Sequence, residues 1–182
     1  FKLCSAMFLK GFKKNPFQFL DLVAVSIACD IVPITGENRV LAHFGLKKLN
    51  EQPIAGIAQL KKVAGYNKEY SITDVVFKLG PRINAAGRLD HATKAVELLV
   101  GTEADEIEEI GKRINDLNIS RRGLEQEIVN EAIEQVKNDE LSDKSVSNVV
   151  FGLGWHKGVV GIVASKLVDE FYKPTVVLTK SD

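Results

Sequence analysis

Cysteine is scarce in this sequence, with Cys4 and Cys29 the two in 182 residues, which suits neither a disulfide framework nor a thiolate metal site. A reducing compartment is the expectation, and the cytoplasm with it. Charge of one sign is not in excess: 24 Lys and Arg balance 24 Asp and Glu. That excludes a protein holding nucleic acid by bulk positive charge, while a local basic cleft stays open. No apolar run is long enough to cross a bilayer, so no membrane partner is expected. An initiating methionine is missing too. Phe1 leads straight into Lys2-Leu3-Cys4-Ser5-Ala6-Met7-Phe8-Leu9, without the charged leader or cleavage site of a signal peptide. At the other end Pro174-Thr175-Val176-Val177-Leu178-Thr179 reads as a buried strand, and together these give the expectation of an excerpt from a longer protein.

What is present is 45% hydrophobic and 26% charged, enough to bury a real core. Three regions separate by pattern. In the first, to about Val100, the run Leu20 to Cys29 is apolar enough for a central strand or a buried helix, and it ends at Asp30. Pro33, Gly36 and Asn38 mark a loop. Asn38 to Leu49 has the spacing of a short amphipathic helix with Leu41, Phe44 and Leu49 inward. Ser71 to Lys78 is a further predicted helix, capped by Ser71 with Asp74 three residues on and closing at Gly80-Pro81.

The second region, Thr102 to about Lys137, predicts one long helix. Thr102 with Asp105 is a capping signature, and Glu103, Asp105, Glu106, Glu108 and Glu109 load the positive end of the dipole. Ile107, Ile110, Ile114, Leu117, Leu124, Ile128, Ala132 and Val136 recur at helical spacing, with Gly111 and Gly123 as points where the helix could bend. Such a helix is about 50 Å long, more than a small domain needs. It therefore reads as a connector between two bodies or as a coiled-coil arm. The third region, from about Val146, predicts strand Val149 to Leu153, a glycine-marked turn over Gly154 to Gly158, helix Val159 to Phe171 and a strand after Pro174. This is a β-α-β unit with parallel strands. Its glycines lack the G-x-G-x-x-G spacing of a dinucleotide loop. His156 and Lys157 beside the helix N-terminus make either a seat for phosphate or an ordinary β-α turn.

The densest chemistry lies in Gly80-Pro81-Arg82-Ile83-Asn84-Ala85-Ala86-Gly87-Arg88. Two guanidinium forks suit phosphate oxygens, and the glycines allow close backbone approach. Taken alone, the same residues also fit a turn followed by a surface helix.

Four passages in this order resemble the RecJ family of single-stranded-DNA-specific exonucleases, within the DHH phosphoesterase superfamily. They are Leu20 to Ile34 with Glu37-Asn38-Arg39, the Gly80 to Arg88 run, the long helix, and Gly154 to Leu167. The resemblance implies an α/β architecture: the C-terminal part of a DHH domain over 1–100, a connecting helix over 101–140 and the beginning of a DHHA1 domain over 141–182. It implies a metal-dependent 5′→3′ exonuclease of DNA repair and recombination, with a pair of divalent cations, Mn2+ or Mg2+, held by aspartates and histidines. Asp30 falls at the family's last metal-binding aspartate. The superfamily's Asp-His-His signature has no counterpart in the sequence, so the chain alone is expected to be inert. His43 and His91 do not replace it, and Asp90 with His91 reads as structural. By the same resemblance Arg82, Asn84, Arg88, His156 and Lys157 are candidates for DNA backbone contact. Trp155 is either a base-stacking platform or a core residue. Single-stranded DNA is the implied partner, with a single-strand-binding protein or a helicase beside it. A relative cutting oligonucleotides or cyclic dinucleotides, and a DNA-binding scaffold without activity, are the alternatives.

Overall fold

A computed structural model describes residues 1–11, 13, 15–139 and 144–180. The elements in chain order are α1 (Lys2–Leu9), a 3-10 turn (Pro16–Phe19), α2 (Leu20–Cys29), α3 (Gly36–Glu51), α4 (Ala55–Ala64), α5 (Ile72–Asp74), a π turn (Val75–Leu79), α6 (Gly80–Leu89), α7 (Thr93–Val100), α8 (Ala104–Asn138), β1 (Asn148–Gly152), α9 (Val160–Phe171) and β2 (Thr175–Thr179). They fall into two compact units, Phe1–Asp116 and Leu117–Asp182. The architecture is α/β, predominantly helical with a small parallel sheet. The expected boundary at 140/141 lies outside the described residues.

The first unit is helical among its described residues, and the apolar run Leu20 to Cys29 resolves into a helix. Its core gathers Val25, Ala28, Leu49, Ile57, Leu60, Val75, Leu79, Ala86, Leu98, Ile107 and Ile114. Each wholly buried Leu or Ile contributes about 2 kcal/mol by leaving water. Helix α3 runs where the apolar spacing predicts, but it buries Ala42, Gly45 and Leu49, and Phe44 is 52% exposed. The reason is the proximity of α2. A Cβ built on Gly45 would stand 2.3 Å from the Leu20 carbonyl oxygen, so the face made of small residues wins the contact over the face carrying the aromatic.

Two buried polar devices fix the loops. Asp21, wholly inaccessible, accepts from the N–H of Ile54 at 2.7 Å and of Leu22 at 3.0 Å and lies 3.4 Å from the Lys48 ammonium. Asn50 pairs with the backbone of Tyr70 twice, Nδ2 donating to its carbonyl at 2.9 Å and Oδ1 accepting its N–H at 2.8 Å. The predicted Ser71 cap is present as a reciprocal capping box with Asp74.

Helix α8 has 35 residues and begins at Ala104, where the Glu103 carbonyl accepts the Ile107 N–H at 3.0 Å. The Thr102 hydroxyl turns to the Glu103 carboxylate at 3.4 Å in place of the expected pairing with Asp105. At Gly111 a Cβ would meet Gln59 Cγ at 2.4 Å, so the missing side chain makes room for Gln59. Of the helix's apolar series, Ile107, Ile114, Ile128, Ala132 and Val136 are buried.

The second unit contains the β-α-β motif. Strands β1 and β2 run parallel, with Val150 opposite Val177 and Phe151 opposite Leu178. Val159, Val163 and Leu167, all wholly buried, form the apolar side of the connecting segment. Glu125 on α8 pairs with Arg121 one turn away and with Lys166 on α9 at 2.7 Å. Gln135 holds Phe151 by its backbone, Nε2 donating to the carbonyl at 2.9 Å and Oε1 accepting the N–H at 3.0 Å.

Candidate functional site

The Gly80 to Arg88 run is helical throughout, and the predicted stop at Gly80-Pro81 does not occur. Gly80 has φ −51° and ψ −50°, ordinary right-handed helix. Its lack of a side chain answers a packing need, because a Cβ would stand 3.0 Å from Cys29 Sγ at the end of α2. Pro81 has no N–H, and its ring crowds the carbonyl four residues back. The chain meets this by widening into the π turn over Val75–Leu79 immediately before α6. Arg82 then reaches back, its NH1 donating to the Lys78 carbonyl at 2.6 Å and its Nε to Asn115 Oδ1 on α8 at 3.0 Å. This half-buried guanidinium therefore ties the π turn to α8.

A second tie lies at the other end of α6, where Arg113 donates to Asp90 at 2.6 Å. Asp90 is thus structural, and His91 is exposed. The His91 N–H and then the Arg113 guanidinium hold the Asp90 carboxyl below its usual range. A depressed carboxylate contributes stability above the unfolded pKa of about 3.9, and that contribution is lost as pH falls toward the lower folded value. Asp90→Asn should therefore lower Tm at neutral pH, and the difference from the unsubstituted protein should shrink as the pH falls below the unfolded pKa, as read by circular dichroism melts.

Between the two ties α6 turns Ala85 and Ala86 into the core and leaves Asn84, Gly87 and Arg88 exposed. Asn84 and Arg88, four residues apart, share one helix face. Asn115 and Arg113, which anchor α6, are absent from the sequence-based candidates. They flank the inward Ile114, and two polar residues beside a core position are the only local sign of that role.

Asp30 caps the C-terminus of α2, exposed, with the Ser26 hydroxyl donating to its Oδ2 at 3.4 Å. The next residue, Ile31, is β-branched yet has φ +51°, a strained conformation for such a side chain. Burial, with the Asp30 charge adding, pushes the Cys29 thiol up to about 11. Through Cys29 and Gly80 the structure brings the end of α2 and the start of α6 together. As an exposed hard oxygen donor, Asp30 fits one ligand position of a divalent cation. Among the described residues no group of three or more His, Cys, Asp or Glu could hold a metal ion, so the fit stops at that one ligand.

In the second unit Trp155 belongs to the core. It is 6% exposed, its Nε1 donates to Glu131 at 2.7 Å, and its ring covers Gly152, where a Cβ would fall 2.3 Å from the indole. His156 is half-buried, its Nδ1 accepting the Gly158 N–H at 3.1 Å, while Lys157 is exposed. Among the described residues no helix is long and apolar enough to cross a membrane.

No family model matches the sequence. The chain is 42% identical over 164 residues to the single-stranded-DNA-specific exonuclease RecJ of Bacillus subtilis, covering 90% of this chain and 21% of that protein. It is 36% identical over 166 residues to RecJ of Haemophilus influenzae, covering 89% of this chain and 29% of the relative. The crystal structure of RecJ from Thermus thermophilus in complex with magnesium superposes with a TM-score of 0.80 at 30% identity, over 91% of this chain and 26% of that one. A manganese-bound exonuclease RecJ gives 0.81 over 41% of its chain. The chain thus spans between a fifth and a third of the curated RecJ relatives it matches.

Proposed function

Because this chain belongs to the RecJ family, we propose that it is a segment of a metal-dependent, single-stranded-DNA-specific 5′→3′ exonuclease that hydrolyses phosphodiester bonds in DNA repair and recombination. The observation that carries this reading is the 42% identity to the Bacillus subtilis exonuclease across 90% of the chain. In this reading residues 1–100 are the C-terminal part of a DHH domain, 101–140 the connecting helix and 141–182 the start of a DHHA1 domain.

Asp30 supplies one carboxylate to the cation pair. The strained backbone at Ile31 supports a functional role for that corner of the chain, since such strain collects at functional sites. Divalent cations, when bound, polarise the phosphodiester and lower the pKa of the attacking water. The other ligands come from the part of the relatives that this chain does not match, and the 182 residues alone are inert. Asn84 and Arg88 on the outer face of α6 bind phosphate oxygens, where a guanidinium gives charge-assisted bonds. Arg82, held by Lys78 and Asn115, contributes positive charge from a fixed position. His156 and Lys157 extend the DNA path in the second unit.

The test compares the 182-residue chain with the intact protein, each given manganese and a 5′-phosphorylated single strand or the matching duplex. The intact protein is expected to shorten the single strand from its 5′ end and spare the duplex, and the 182 residues to cut neither. A preference of the intact protein for dinucleotides over long strands would overturn the exonuclease reading. Cleavage by the 182 residues would refute their inertness.

A further inference from the structure

Most of the glycines that face a neighbouring element have an internal reason to be glycine. A Cβ on Gly45 would lie 2.3 Å from the Leu20 carbonyl, on Gly56 2.1 Å from the Leu98 carbonyl, and on Gly111 2.4 Å from Gln59. Gly87 is different. It lies in the last turn of α6, exposed, and a Cβ there would meet Ala92 Cβ at 3.5 Å, ordinary van der Waals contact. Its φ is not positive, so the backbone makes no demand for glycine either. At an exposed position within a helix glycine is among the least stable choices and alanine the best.

Position 87 thus carries a stability cost that nothing among the described residues requires. Its surroundings are those of a ligand contact: Asn84 lies one turn earlier on the same exposed face and Arg88 follows directly. Gly123 and Gly161 also sit in helices with open space around them. At the same offsets Gly123 has Ser120 and Leu124, and Gly161 has Gly158 and Ile162, with the Ser165 hydroxyl donating back to the Gly161 carbonyl at 3.2 Å.

We propose that Gly87 is a contact residue of the α6 surface, left bare so that the sugar-phosphate backbone of a nucleic acid strand lies directly on the helix while Asn84 and Arg88 engage its phosphates. This rests on the nucleic-acid reading of α6 given under the proposed function. The absence of Cβ lets the strand approach the helix more closely than any side chain allows. An added methyl group holds the strand away from both polar groups at once.

The inference predicts effects of opposite sign from one substitution. In the intact protein Gly87→Ala should raise Tm by about 1 °C. It should also weaken binding of a fluorescein-labelled oligothymidine about fivefold to tenfold, measured by anisotropy with chelator present so that nothing is cut. Arg88→Ala is the companion, expected to weaken binding and to lower the salt dependence by about one counterion. Gly87→Ala with a raised Tm and unchanged affinity, beside a weakened Arg88→Ala, overturns the role of Gly87 and leaves the nucleic-acid reading of α6 standing. Unchanged affinity in both overturns that reading as well. A lowered Tm in Gly87→Ala also overturns the inference, because it would reveal an internal reason for the glycine.

Discussion

Replacing Asp30 by alanine in the intact protein is expected to lower manganese-dependent cleavage of single-stranded DNA about a thousandfold. Tm should stay within about one degree of the unsubstituted protein. The two halves of that result have separate causes. Asp30 is exposed at the end of α2, and its one described side-chain bond is the long contact from Ser26, so the fold loses little. Losing one oxygen ligand costs several kcal/mol of charge stabilisation during phosphodiester hydrolysis, and about 4 kcal/mol corresponds to a thousandfold. The assay is initial rate against manganese concentration, with a melt of each variant. Full activity in Asp30→Ala would remove the metal-binding assignment.

Trp155→Ala should destabilise the second unit by about 3–5 kcal/mol, the range for deleting a buried aromatic side chain. The indole is 6% exposed and lies over Gly152, and its N–H reaches Glu131, so truncation leaves a cavity beside β1. Trp155→Phe keeps much of the volume and should cost less. The same contacts decide between the two roles the sequence leaves open for this residue. As the single tryptophan of the chain it reports its own environment. Its emission should be that of a buried indole and should not change when single-stranded DNA is added to the chain. Quenching by DNA, with little loss of stability in Trp155→Ala, would make it a base platform instead.

How far the sequence is legible depends on whether the deciding contacts are local. Helix α8 can be read because its apolar series repeats along its whole length, and the β-α-β unit because strand, turn and helix patterns follow one another without interruption. The Ser71–Asp74 box is local and equally plain. Periodicity misplaces Phe44 because it identifies an apolar stripe but not the approach distance of its partner, and at Gly45 that distance selects small residues. Gly80-Pro81 reads as punctuation for a similar reason. What favours this glycine is the closeness of the Cys29 sulfur, distant in sequence, and what tolerates the proline is a π turn without a residue signature. At the candidate site, the α6 residues stand out as residue types at close spacing, whereas Asp30 enters through the resemblance alone and otherwise reads as a helix cap or turn residue. The anchoring by Asn115 and Arg113 is not, since each is a single contact between distant parts of the chain.

The hold of Gln135 on Phe151 has a directional consequence for the small sheet. The Asn148 N–H faces β2, bonding to the Pro174 carbonyl at 2.8 Å, so by alternation the backbone groups of Phe151 point to the opposite side. The Gln135 amide occupies both of those groups as a neighbouring strand would. A third strand, whichever polypeptide provides it, is therefore obstructed at one margin and admitted at the other, beyond Thr175 to Thr179. A single glutamine thus blunts that one margin against pairing with another strand.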